Sequence, residues 1–304
     1  MGKKTSRTPA KNKQIPAISI RIRIKDEKET GKVAELPEIV KIAGQMRDTL
    51  RGKSIHTVAL LQEKCSNVAA DEFQKRVAGA RVDDTWHKGK WIITKLDNGE
   101  NILLSLGMGA DVLYFEREKS EPEKYQIKVL FSDGSGYTVR FCWFGKFLLI
   151  PDDKLASEPN TKDIAIDPFS EEFTLEYFTS LLKGKRSQVK AFLINQKNVG
   201  GIGNMYMHDI LFKARLHPQR KISDMSGDEI KLFYTSIMEQ LNLSREKGAF
   251  AYEKDFFGQK GGFTMDYFLV GYKENQPCPD CGETIVSMKT SGTSSFICPA
   301  CQKI

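Results

Sequence analysis

The stretch CPDCGETIVSMKTSGTSSFICPAC, residues 278–301, decides more about the fold than any other part of the sequence. It holds two Cys-x-x-Cys pairs, Cys278/Cys281 and Cys298/Cys301, with sixteen residues between them. Each pair sits in a tight turn, so the two together can grip a tetrahedral Zn²⁺ from opposite sides. Two disulfides are the competing reading, but knuckles of this spacing in a chain without a secretory signal favour metal. Sulfur at all four positions leaves no place for a bound water. The expectation is therefore one structural zinc per chain, holding a ribbon with little core of its own. Between the pairs, Thr284 to Phe296 reads as a β-hairpin with a polar tip, Thr290-Ser-Gly-Thr293, and Lys289 beside it. The two remaining cysteines, Cys65 and Cys142, read as inert buried thiols rather than nucleophiles.

Upstream of the ribbon the pattern is helical from about 171 to 248, with apolar sets such as Phe178/Leu181/Leu182 and Ile230/Phe233/Ile237/Leu241. Within it lies Asn198-Val-Gly-Gly-Ile-Gly-Asn204, ahead of a helix predicted to start near Asn204. A glycine-rich turn before a helix can offer bare N–H groups to a phosphate, although such turns are also common plain connections. Residues 181–220 carry eight Lys/Arg, Lys190 among them, against the single acid Asp209, while residues 151–180 carry eight acids against Lys154 and Lys162. A basic segment beside an acidic one makes either a polarised surface suited to a phosphate backbone or an ordinary solvated face.

Further upstream, between about 55 and 150, short apolar runs alternate with the turn signals Asp97-Asn-Gly and Asp133-Gly-Ser-Gly: Val58–Leu61, Trp91–Thr94, Ile102–Leu104, Val112–Phe115, Tyr125–Phe131 and Phe147–Ile150. This predicts antiparallel sheet folded as a sandwich. An amphipathic helix precedes it, with Pro37 at its start, Glu35 and Glu38 in its first turn, apolar residues from Ile39 to Leu50 at helical spacing, and Gly52 at its close. The fold class is α+β. Its predicted parts are a basic extension 1–33, a sandwich domain 34–150, a helical domain 151–265 and a zinc ribbon 266–304.

The net charge of +7 resides in residues 1–33, which hold ten Lys/Arg against three acids; the rest carries 36 of each sign. That extension reads as a free arm, a targeting segment or sequence that is not translated. No apolar run approaches the roughly 18 residues needed to cross a bilayer, which sets transmembrane function aside. No phosphate-binding Walker loop or dinucleotide motif occurs, and the four histidines form no metal or triad constellation.

Several short segments share one order along the chain. They are Ala34-Glu-Leu-Pro-Glu-Ile39, Gly89-Lys-Trp91, Leu106-Gly-Met108, Gln196 to Pro218, Asp255-Phe-Phe-Gly-Gln-Lys-Gly-Gly-Phe263 and the four cysteines. In this order they resemble the formamidopyrimidine-DNA glycosylase and endonuclease VIII family over residues 34–304. Ala34–Ile39 is similar to the family's Pro-Glu-Leu-Pro-Glu start, and Gln196–Pro218 to its helix–two-turn–helix DNA-binding element.

The resemblance implies a base-excision repair DNA glycosylase with AP lyase activity. It would bind damaged double-stranded DNA as a monomer in the cytoplasm, associated with the nucleoid in a bacterium. A stacked base is out of reach, so the damaged one must be flipped out. The family's nucleophile is the α-amine of its terminal residue, whose reference pKa of about 7.7–8.0 leaves a neutral fraction near pH 7. By resemblance Ala34 stands at that position, Glu35 handles protons at the sugar, Glu38 holds the site and Lys90 meets the flanking phosphates. Gly203 and Asn204 fix the backbone around the flipped nucleotide. Met108 and Phe144 fill the gap it leaves, unless they are ordinary hydrophobic residues, and Lys190 and Lys289 join the DNA contacts.

The departures from the family pattern are specific. Alanine replaces the terminal proline, and thirty-three residues precede it. An internal amide forms no Schiff base, so catalysis requires a chain that begins at Ala34, by initiation at Val33 with loss of the initiator Met or by proteolysis. The family's Arg-Arg-Phe-Gly wedge is here Cys142-Trp-Phe-Gly145, and Thr293 replaces the arginine at the hairpin tip. Neither cysteine nor threonine reproduces guanidinium geometry. Two readings follow: an active glycosylase/lyase, or a catalytically silent homologue that binds abasic or distorted DNA.

Overall fold

The computed structural model describes residues 33–117, 121–249 and 254–304. The expected extension 1–33 lies, except for Val33, outside the described residues. The chain opens with helix α1 (Leu36–Leu50), where Pro37 occupies the first turn and Glu38 reaches back to the Glu35 N–H in a capping box.

Two four-stranded antiparallel sheets follow. One has the order β1 (Ile55–Leu60), β6 (Ile127–Phe131), β7 (Gly136–Arg140), β5 (Asp111–Phe115); the other has β2 (Val82–Lys88), β3 (Trp91–Leu96), β4 (Glu100–Ser105), β8 (Lys146–Pro151). One buried cluster joins Val58, Val129 and Tyr137 of the first sheet to Ile92, Ile102 and Phe147 of the second, and Ile39, Ile42 and Met46 of α1 complete it. The second sheet is buried on its outer face as well, where Trp91, Ile93, Leu103 and Leu148 meet Leu155 and Ile164. That double burial explains why β3, β4 and β8 read as continuous apolar runs rather than alternating ones.

Three elements of this region went unread. Strand β2 is VDDTWHK, an edge strand whose register shifts between Val82 and Asp84 and so loses its alternation. Strand β7 begins on Gly136, directly behind a turn signal, because a Cβ there would lie 2.3 Å from the Val129 carbonyl oxygen. Helix α2 (Ala70–Val77) buries only Phe73 and Val77, too few for a period. Leu61, expected in the first run, lies outside β1 and is exposed, and Cys142, expected to be buried, is exposed because it stands in the loop that follows β7.

After the short helix α3 (Asp152–Leu155), four helices build the second core: α4 (Leu175–Leu182), α5 (Val189–Leu193), α6 (Asn204–Lys213) and α7 (Gly227–Glu246). Leu36 and Val40 pack with this core, whereas Ile39, Ile42, Ala43 and Met46 pack in the sandwich, so α1 straddles the two halves. Helix α6 is central: Asp209 accepts N–H bonds from Leu269, Val270 and Gly271 at 2.8, 3.0 and 2.9 Å, and Phe212 enters the ribbon's small core with Val270, Cys278, Ile285 and Cys298.

The ribbon hairpin pairs β9 (Val286–Thr290) with β10 (Thr293–Ile297). Its two-residue loop, Ser291-Gly292, has φ of +48° and +81°, the tight turn that such short hairpins require. Among the described residues no helix is long and apolar enough to cross a membrane.

Candidate active site

The site lies where the start of α1 meets the start of α6. Glu35 is 2% exposed, and its carboxylate accepts from Gly203 N–H at 2.8 Å and Met205 N–H at 2.7 Å. The first turn of a helix favours an anion through its unpaired N–H groups and its dipole. At α6 that anion is supplied by the chain itself, from a residue 168 positions away.

This corrects the expected role of the glycine turn. Gly201 N–H donates to Gln196 Oε1 at 2.8 Å and Gly203 N–H to Glu35, so neither is left for a phosphate. The glycines serve close approach instead. A Cβ on Gly201 would lie 2.7 Å from the Leu36 Cβ, and one on Gly203 would lie 2.1 Å from Lys90 Nζ and 2.4 Å from Glu35 Oε1.

Lys90 sits in the two-residue loop between β2 and β3, where Gly89 adopts φ +57° and turns the hairpin toward the junction. Its ammonium is 3.9 Å from Glu35 Oε1. Beside it opens a cleft of about 270 Å³, lined by Val33, Ala34, Lys90, Ser105 to Met108 and Phe144. Ala34 is 2% exposed, and Val33 bridges Met108 in antiparallel fashion. The structure thus gathers Ala34, Glu35, Lys90, Met108 and Phe144 at one place, with Gly203 packed behind them.

Glu38 lies beneath, 1% exposed, hydrogen-bonded by Tyr206, whose hydroxyl also meets Ser244 Oγ at 2.6 Å. Neither Tyr206 nor Ser244 was singled out from the sequence, since nothing local marks a hydroxyl as facing a carboxylate 168 residues earlier. Burial pushes the Glu38 carboxyl up from 4.5 to about 7, while the Tyr206 and Glu35 hydrogen bonds act in the opposite direction. The folded chain therefore holds this proton more tightly than the unfolded one. Its contribution to stability is complete below about pH 4.5 and is lost as pH rises toward 7, a fall of about 3 kcal/mol. Denaturant titrations of the parent and Glu38→Gln at pH 5 and 7.5 should show a smaller fall for the variant; equal falls would contradict this assignment.

The remaining expected DNA contacts lie on the ribbon side. Asn204 is tied to the hairpin, donating to Ser294 O at 3.3 Å and accepting from Thr293 Oγ1 at 3.0 Å. Lys289 is exposed on β9. Lys190 is not a surface contact: it is 0% exposed, with its ammonium among six oxygens of Thr290, Thr293, Ser294 and Ser295 at 2.8–3.3 Å. Burial lowers its pKa to about 8. It braces the hairpin tip from within.

Much of the basic segment is likewise engaged, Arg215 with Asp280, Arg220 with Glu229 and Lys197 with Asp163. Lys183, Lys185 and Arg186 stand exposed between α4 and α5.

The four ribbon cysteines meet the metal expectation. All their Sγ atoms lie within 4.8 Å of one another, and the recorded pairs are 3.5–3.9 Å apart. Tetrahedral Zn–S bonds of about 2.3 Å require S···S distances near 3.8 Å, whereas a disulfide requires about 2.0 Å. The set holds one structural zinc.

Comparison with known proteins agrees with this layout. Residues 33–147 match the formamidopyrimidine-DNA glycosylase N-terminal domain, 164–254 the formamidopyrimidine-DNA glycosylase H2TH domain, and 275–304 the zinc finger found in FPG and IleRS. A formamidopyrimidine-DNA glycosylase of Roseiflexus sp. is 32% identical over 277 residues, covering 88% of this chain and 99% of that protein. One of Pelotomaculum thermopropionicum is 28% identical, covering 89% and 99%. In fold the chain is similar to Lactococcus lactis Fpg in complex with DNA containing an abasic site, at TM-score 0.80 and 23% identity over 89% of this chain and 100% of that one. A sandwich, a helical DNA-binding element and a zinc ribbon thus follow one another here in the order of those relatives, along nearly their whole length. By that correspondence the chain belongs to the formamidopyrimidine-DNA glycosylase family of DNA-repair glycosylases.

Proposed function

We propose that the protein is a base-excision glycosylase that also cleaves the strand, acting as a monomer on damaged double-stranded DNA in the cytoplasm through a Schiff base on the α-amine of Ala34 in a chain that begins there. The observation that supports this is the seating of Ala34 in a cleft beside Lys90, directly ahead of a Glu35 carboxylate fixed by two backbone N–H groups. The amine attacks C1′ of the flipped nucleotide, and the bond to the damaged base breaks with the base leaving protonated. The Glu35 carboxylate takes the proton that the attacking nitrogen sheds and passes it to the ring oxygen, which opens the sugar and leaves an iminium at C1′. Loss of a C2′ proton expels the 3′ phosphate. Lys90 holds the flanking phosphate, and Lys289 with Asn204 lies along the backbone path.

One observation favours a second reading, a silent binder of abasic or distorted duplex. In the full chain the Ala34 nitrogen is an amide, and Val33 occupies the cleft wall against Met108. Borohydride trapping on abasic-site duplex separates the two, comparing the 304-residue protein with one beginning at Ala34. An adduct mapped to the Ala34 amine in the shorter protein alone is the expected result. No adduct in either, with DNA binding intact, establishes the binder.

A further inference from the structure

The loop between β7 and β8 carries two aromatic side chains that the protein leaves in solvent: Trp143 is 51% exposed and Phe144 80%. Their backbone, by contrast, is tightly fixed. Cys142 and Trp143 N–H groups both donate to Met108 O, at 3.1 and 3.4 Å, and Met108 N–H donates to Trp143 O at 2.9 Å. Phe144 is held at φ +60°, a left-handed conformation uncommon for a bulky residue. Gly107 packs so closely beneath that a Cβ there would lie 2.1 Å from Trp143 O. Adjacent exposed aromatics on a fixed loop at the lip of a cleft form a surface prepared for a flat, apolar ligand.

The same loop lacks a hydrogen-bonding fork. The two cations that flank it are engaged elsewhere, Arg140 with Asp111 at 2.7 Å and Lys146 with Asn160 at 2.7 Å. Trp143 itself offers one N–H, which cannot tell the four bases apart as a bidentate side chain does.

We infer that Trp143 stacks on the base left unpaired opposite the flipped nucleotide, so that the protein recognises that base by its π-face and tolerates all four. This rests on the proposed reading as a protein that flips nucleotides out of damaged duplex. Phe144 enters the gap in the stack, and the indole beside it covers the widowed base. Selectivity then follows stacking strength, with purines ahead of pyrimidines.

The test is equilibrium binding of the full chain to duplexes carrying a tetrahydrofuran abasic analogue opposite each of the four bases, which requires no turnover. For the parent we expect affinities within about threefold of one another, purines tightest. Trp143→Ala should weaken binding about tenfold opposite purines, and Trp143→Phe should restore most of it. Trp143→Arg, which supplies a fork, should spread the four affinities by more than about fivefold. With 2-aminopurine as the opposite base, binding should quench its fluorescence less in Trp143→Ala than in the parent. Parental affinity and quenching in Trp143→Ala would overturn the inference while leaving the proposed function standing. No preference of the parent for the analogue over undamaged duplex would overturn both.

Discussion

Glu35→Gln is expected to slow base release and strand cleavage by about 10²-fold or more, because a positioned proton donor contributes about 10²–10⁴. The same substitution should destabilise the fold by about 1–3 kcal/mol, the cost of one buried donor left unpaired. Both effects come from the same two oxygens. One accepts from Gly203 and the other from Met205, and an amide accepts through only one of its two ends. Whichever way the amide is turned, an NH₂ faces an N–H that α6 cannot pair within itself. Single-turnover rates on lesion duplex, with parent and variant both in the chain that begins at Ala34 and denaturant midpoints measured alongside, check both parts. A variant with the parental rate and midpoint would remove Glu35 from the chemistry and from the junction together.

The second large effect concerns the zinc. Cys298→Ser, or chelation of the parent, should unfold the ribbon and weaken binding to abasic duplex at least about 100-fold, since structural zinc supplies most of the folding energy of such small units. The damage should also spread inward. Every oxygen recorded around the Lys190 ammonium belongs to residues 290–295 of the hairpin. Released from them, a buried ammonium on α5 loses its partners, a loss costing about 3–5 kcal/mol for a buried charge. Limited proteolysis should therefore cut first within residues 275–304 and then near α5, while the sandwich resists. Cleavage confined to the ribbon would show that Lys190 is dispensable to the helical domain.

How much of this was legible in advance depended on how far apart the interacting residues lie. The ribbon could be read because its ligands declare themselves at fixed short spacings and its tip is a local turn. Helix α1 could be read from Pro37, its periodic apolar residues and Gly52, which indeed takes φ +82°. Strands buried on both faces announced themselves as apolar runs, whereas edge strand β2 and helix α2, with little to bury, did not. The site was legible as a set of residues but not as an arrangement. Asn198–Asn204 looked like a cradle for phosphate because nothing nearby fills it; the carboxylate that does comes from the start of the chain. Lys190 looked like a surface cation because lysine usually is one, and the six oxygens enclosing it lie about a hundred residues further on.

The seating of Glu35 has a consequence for safety. A carboxylate clamped by the far half of the molecule works as an interlock: it points correctly only while both halves are docked, and Leu36 N–H bonded to Gly201 O at 3.0 Å keeps the same latch. Misplacement by about 1 Å is enough to cost a reaction about 10²-fold. On the proposed reading of Glu35 as the proton carrier, a copy whose halves splay apart would be disarmed by default, and intact DNA in its grip would be spared.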